Sequence, residues 1–242
     1  MTSPPATIAA PPKPLLTIEP RPGWVPLNLT EIWQFRDLLM GLAGRDVRLR
    51  YRQTALGVSW VVLQPLIAAG LFTFIFGMLA GMPAKGGVPV FVLIYCGMLG
   101  YNVFANTLSK AGICLVGNAQ LVSKVYFPRM VLPLSTAIST LLDFVVASVI
   151  LIVLMIVYHV HVGWGLLLMP ALLGVILLFA LGVGLWASAL TVSYRDVQYV
   201  LPVLLQFAMY ASPAAYTLSW VSDTLSPKHP HLVRLYMLNP LA

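Results

Sequence analysis

Charge is what this sequence has least of. Only 9% of its 242 residues are charged, against roughly a quarter in an average soluble domain. Hydrophobic residues make up 60% and mean hydropathy is +0.90, a mixture that water cannot solvate as a folded surface, so soluble enzymes and binding modules are excluded. Its two cysteines, Cys96 and Cys114, share one apolar segment and form neither an expected disulfide nor a metal-type pair. Histidines number 4; His159 and His161 make an H-x-H with no further ligand nearby and read as interfacial side chains rather than a metal site. No glycine-rich loop ends in Gly-Lys-Ser/Thr, so the chain carries no phosphate cradle of its own. An intramembrane lipid-processing enzyme would need clustered acids, histidines or arginines at one membrane face. Asp143 and Asp196, at different depths, do not supply that. An ion-coupled carrier would want more midplane charge and broken helices.

What the chain does have is a sharp basic-to-apolar junction. Residues 45–65 read RDVRLRYRQTALGVSWVVLQP, with Arg45, Arg48, Arg50 and Arg52 running into a stretch, 57–80, that holds no charge. An arginine in hydrocarbon costs about 2.5–3.5 kcal/mol even on the lenient insertion scale, so the junction marks a membrane surface. Of the 14 lysines and arginines, 7 lie before this first apolar run and four of those at the junction itself, which fits a positive-inside bias rather than nucleic-acid binding. Residues 1–27, rich in proline and without an apolar core, read as a disordered cytoplasmic tail and not as a signal peptide.

Residues 28–52 read as an amphipathic interface helix. Asn28 with Glu31 makes a helix start, and Ile32, Phe35, Leu38, Leu39 and Leu42 recur at helical spacing. Residues 53–242 follow as a transmembrane domain. Five apolar spans are expected, at 57–80, 90–116, 131–157, 164–192 and 199–216, giving an all-α integral membrane protein. Pro65 lies inside the first, where neighbouring helices must satisfy the freed carbonyl. Gly77 and Gly81, four apart, would permit close helix contact.

Inner segments hold Lys13, Arg21, Arg36, the four arginines of the junction, Lys124, Arg129 and Arg195; outer segments hold Lys85, Lys228 and Arg234. The N-terminus is therefore expected inside. An odd number of spans puts the C-terminal segment outside, and a sixth span is expected beyond residue 242. Residues 217–242 read as outer-face structure.

Three sets of residues are candidates for function. Lys110 in the second span and Asp143 in the third are either an intramembrane pair or, for Lys110, a side chain snorkelling to the inner surface. Phe72, Tyr95, Tyr101, Phe104, Phe207 and Tyr210 are either belt and packing residues or the lining of a conduit, since aromatic faces stack on apolar sugar faces. The inner loops NAQLVSKVYFPR (118–129) and SYRDVQ (193–198) are either solvated connections or docking surfaces. The first is read as carrying an exposed Tyr126–Phe127 pair.

Four passages in order, RDVRLRYRQTALGVSWVVLQP at 45–65, LVSKVYFPRMVLPLS at 121–135, the SYRDVQYVLPVLLQFAMYASPAAY run ending at 216, and LNPLA at 238–242, resemble the permease subunit of type-2 ABC exporters. The likeness points to the branch that moves O-antigen, capsule or teichoic-acid polymers. It implies an interface helix and six spans per subunit, a channel between two copies, and a separate ATPase subunit that binds the ATP and magnesium. This chain would hold no cofactor and bind no nucleic acid.

The resemblance places ATPase coupling at Leu121, Ser123, Lys124, Val125, Tyr126, Phe127, Pro128 and Arg129, and at Tyr194, Arg195 and Asp196. A lipid-linked glycan would enter between the first and fifth spans in the cytoplasmic (inner) membrane and leave past short helices within 217–237. Arg45, Arg48, Arg50 and Arg52 lie where its pyrophosphate headgroup would approach, and are expected to recruit it. An exporter of drugs or other lipidic substrates is the alternative, because an aromatic lining with few charges suits that cargo too.

Overall fold

The computed structural model describes residues 29–52, 57, 59–84, 87–160, 163–217 and 220. The N-terminal tail, Asn28, Lys85, His161 and everything after Trp220, including LNPLA, lie outside the described residues.

The interface segment is two helices rather than one. α1 (Leu29–Gln34) and α2 (Arg36–Tyr51) are separated at Phe35, whose φ of −94° and ψ of 19° leave the helical well. Its apolar stripe nevertheless survives the break. Phe35, Leu38 and Leu39 are half-buried and Leu42 is buried against Cys114, Phe127, Val131 and Leu132. The stripe thus packs on the bundle, while Trp33, Met40 and Leu49 stay exposed.

Among the described residues, four helical spans are long and apolar enough to cross a membrane. α3 (Ser59–Phe72) continues without interruption into a π-helical stretch, Thr73–Leu79, where Ala80 N donates to Ile75 O at 2.9 Å. α4 (Val90–Gly117) connects through the short α5 (Ala119–Lys124) to α6 (Val131–Val157), and α7 (Gly165–Ser193) follows. α4 is the hub, with 50% of its span buried against 6–22% for the others. A helix surrounded by protein can carry polar side chains that lipid would reject.

Contacts to α4 are close because the residues there are small. A Cβ built at Gly184 of α7 would lie 2.7 Å from Ala111 Cβ, and one at Gly97 of α4 would lie 2.5 Å from Ala214 O. Gly184→Leu is therefore expected to destabilise the bundle by about 1–3 kcal/mol. Gly174→Ala, with nothing within 4 Å, should leave it unchanged. Melting of the detergent-solubilised protein, read by intrinsic fluorescence, distinguishes the two.

The fifth span is shorter than the expected 199–216. α8 (Val197–Ala211) has 15 residues, about 22 Å, short of a hydrocarbon core of roughly 30 Å. Its end follows from Pro213. The residue before a proline is pushed out of the helical region, and Ser212 is extended at φ −105°, ψ 148°. The chain then turns back onto α4, burying Ala214 and Ala215. Phe76, Tyr216 and Trp220 gather there, with ring centroids 5.5–6.4 Å apart.

Candidate functional site

A cavity of about 610 Å³ lies between α2, α3, α4 and α6. Asn102, Asn106 and Lys110 line it from α4, spaced four apart and hence on one helical face. At its charged end Asp143 of α6 meets two cations. Arg50 Nη1 from α2 donates to Asp143 Oδ2, and Lys110 Nζ lies 3.3 Å from the same oxygen and 3.2 Å from Thr140 Oγ1. The Asp143 side chain is only 12% exposed, Lys110 23% and Arg50 37%. A carboxylate at this depth is tolerable because it is paired and hydrogen-bonded. The cluster also ties the interface helix to two spans.

Lys110 and Asp143 are the two residues that sequence singled out as a pair. Arg50, which joins them, was read with the surface arginines; its 93-residue separation from Asp143 leaves no local signal. The other arginines stay outside the cavity. Arg45 Nη2 donates to Asn118 Oδ1 at 2.8 Å and contacts Asp46, Arg48 Nε donates to Gly44 O at 3.2 Å, and Arg52 is exposed just past α2.

Two loops share the basic end of the bundle. The first holds α5 and residues 125–130. Lys124, Val125, Tyr126 and Arg129 are exposed, with Tyr126 at 67%, and Ser123 Oγ donates to Gln120 O at 3.1 Å. Leu121 and Pro128 are half-buried. The expectation of an exposed Tyr126–Phe127 pair is corrected. Phe127 is 6% exposed, sealed between α2, α4 and α6 by Leu42, Cys114, Val131 and Leu132. The second loop presents Tyr194 at 68% exposure, beside exposed Arg195 and Asp196.

The conduit reading of the aromatics is corrected for four of them. Phe72, Tyr95, Tyr101 and Phe104 are buried inside the bundle. Tyr95 OH donates to Ala147 O at 3.0 Å and Tyr101 OH to Leu205 O, so their hydroxyls are spent on neighbouring helices. Phe104 stacks on Phe179. Phe207 and Tyr210 are exposed on α8.

Taken together, an α-helical span bundle with a polar cavity and exposed loops at its basic end defines a helical integral membrane protein. Residues 38–241 match the model of the family described as ABC-2 type transporter. The chain belongs to that family. It is 28% identical over 194 residues to the O-antigen export system permease protein RfbA of Myxococcus xanthus, covering 80% of this chain and 73% of that one. Two proteins of the same name from Klebsiella pneumoniae are 28% and 26% identical over 210 and 211 residues, in each case 85% of this chain and 76% of the relative.

Proposed function

We propose that this chain is the permease subunit of an ATP-driven exporter that moves a lipid-linked polysaccharide across the cytoplasmic membrane. The observation that carries the reading is the likeness, along most of the chain, to three proteins each named as an O-antigen export permease. The physics agrees with it. A polar polymer cannot cross hydrocarbon unaided, because each unpaired hydroxyl costs free energy. Among the described residues Phe72, Tyr95, Tyr101 and Phe104 pack inside the protomer, which favours a channel formed between two copies.

ATP and magnesium belong to a separate ATPase subunit, which docks on the loops around α5 and Tyr194. Two exposed tyrosines at the same end suit such a contact, since amphipathic aromatics dominate docking energies. The arginines and lysines of α2, α5 and both loops support a cytoplasmic position for that end, by the positive-inside bias.

The test is co-purification with the cognate ATPase, followed by ATPase assay with lipid-linked glycans. Hydrolysis should rise with a glycan bearing the right sugars. If no glycan stimulates it while a lipophilic drug does, the polymer reading falls.

A further inference from the structure

Helix α2 holds both ends of the α5 loop, and it does so with two residues three apart. Leu42 packs against Phe127, where the loop ends, and Arg45 Nη2 donates to Asn118 Oδ1 at 2.8 Å, where it begins. Residues at i and i+3 share one helical face. The loop needs such support, because α5 has only 6 residues and a helix on its own is marginal below roughly 12–15.

Asn118 is the joint between the hub and this short helix. Its φ of −114° and ψ of 28° leave the helical well, so α4 ends there and α5 starts afresh. The side chain is used on both sides: Nδ2 donates to Cys114 O at 2.9 Å, capping α4, while Oδ1 accepts from Arg45. The Asn118 carbonyl accepts from Leu121 N and Val122 N, both at 3.0 Å, which sets the first turn of α5. Arg45 is aimed from within α2, since Asp46 Oδ1 accepts from its Nε at 3.3 Å and from its Nη2 at 3.1 Å. At the far end Phe127 is sealed while its neighbour Tyr126 is 67% exposed. The anchor therefore lies next to the side chain offered for docking.

We infer that Arg45 is a positioning residue for the ATPase contact: through Asn118 it fixes the pose in which α5 and Tyr126 meet the partner. The inference rests on the docking reading above. Its action runs through Asn118 and not through contact with the ATPase, a lipid headgroup or the glycan.

Hydrogen–deuterium exchange of the purified full-length permease, alone, reads the pose, and binding of the cognate ATPase to the same samples reads its consequence. Arg45→Met keeps much of the side chain's length and removes its donors. It should speed exchange of the peptide covering α5 about fivefold, the scale of one hydrogen bond, with the melting temperature and exchange in α6 unchanged. ATPase affinity should fall by a similar factor. Arg45→Lys, which retains a donor, should recover most of both. Asn118→Ala should lose at least as much as Arg45→Met, and the two together should be no worse than Asn118→Ala alone, the mark of residues acting in series.

An α5 exchange rate unmoved by Arg45→Met, or losses that simply add in the double variant, would overturn the inference. Faster α5 exchange with wild-type ATPase affinity would overturn it too. The Tyr126→Ala, Tyr194→Ala variant decides the docking reading separately: weakened ATPase binding keeps that reading, and wild-type binding removes it.

Discussion

Asp143→Asn should strip most of the folded protein from the membrane. The substitution is nearly isosteric, so its effect is electrostatic: Arg50 and Lys110 converge on Asp143 Oδ2, and neutralising it leaves two cations facing each other in a span. Removing one partner of a buried ion pair costs about 3–5 kcal/mol, a large part of the stability of an ordinary protein. The double variant Asp143→Asn with Lys110→Gln should be milder than the single one, because the remaining cation, Arg50, is the most exposed of the three and can snorkel toward the surface. Yield in the membrane fraction and melting temperature in detergent both read this order. A stable Asp143→Asn protein would mean that the cluster bears no structural load.

Tyr126→Ala together with Tyr194→Ala should stop export while leaving the permease in the membrane at its normal level. Both side chains are about two-thirds exposed, at 67% and 68%, so truncation removes little packing. As central aromatics of a docking surface, each would cost about 2 kcal/mol of binding or more, roughly 30-fold in affinity for the ATPase apiece. Phe127→Ala makes the contrast. It empties a buried site among Leu42, Cys114, Val131 and Leu132 and should cost about 3–5 kcal/mol of stability, visible as a lower melting temperature even with no ATPase present. Pull-down of the ATPase and melting of the permease alone separate the two outcomes. If the tyrosine pair still binds the ATPase at wild-type strength, the docking surface lies elsewhere.

How far the sequence reached differs from element to element for physical reasons. The span expected at 131–157 is α6, Val131–Val157, and 90–116 differs from α4 by one residue. Both are predominantly apolar runs flanked by a nearby proline and polar loop residues, so their limits are local properties. The fifth span ran too long because hydropathy continues past Ala211, whereas the backbone obeys Pro213. Burial proved harder to read. Tyr126 and Phe127 are adjacent with similar composition on either side, yet only Phe127 meets α2, and nothing local announces a contact with Leu42. Arg50 shows the same limit from the other direction: its neighbours in sequence are surface arginines, and only the approach of α2 to α6 brings it to Asp143. The π-helical stretch at Thr73–Leu79 had no signal in the apolar pattern either, since an unbroken apolar run does not distinguish a π turn from an α turn.

Direct observation of transport is the decisive measurement. The permease and its ATPase would be reconstituted in vesicles with the ATPase side facing the medium, and a lipid-linked glycan added from that side. Protection of the glycan from an external glycosidase, followed over time with and without ATP, reports its passage into the lumen. The account predicts protection that requires ATP and the ATPase and is lost in the Tyr126→Ala, Tyr194→Ala double variant. Glycan that stays fully digestible while ATP is hydrolysed, or that is protected equally without ATP, would contradict it.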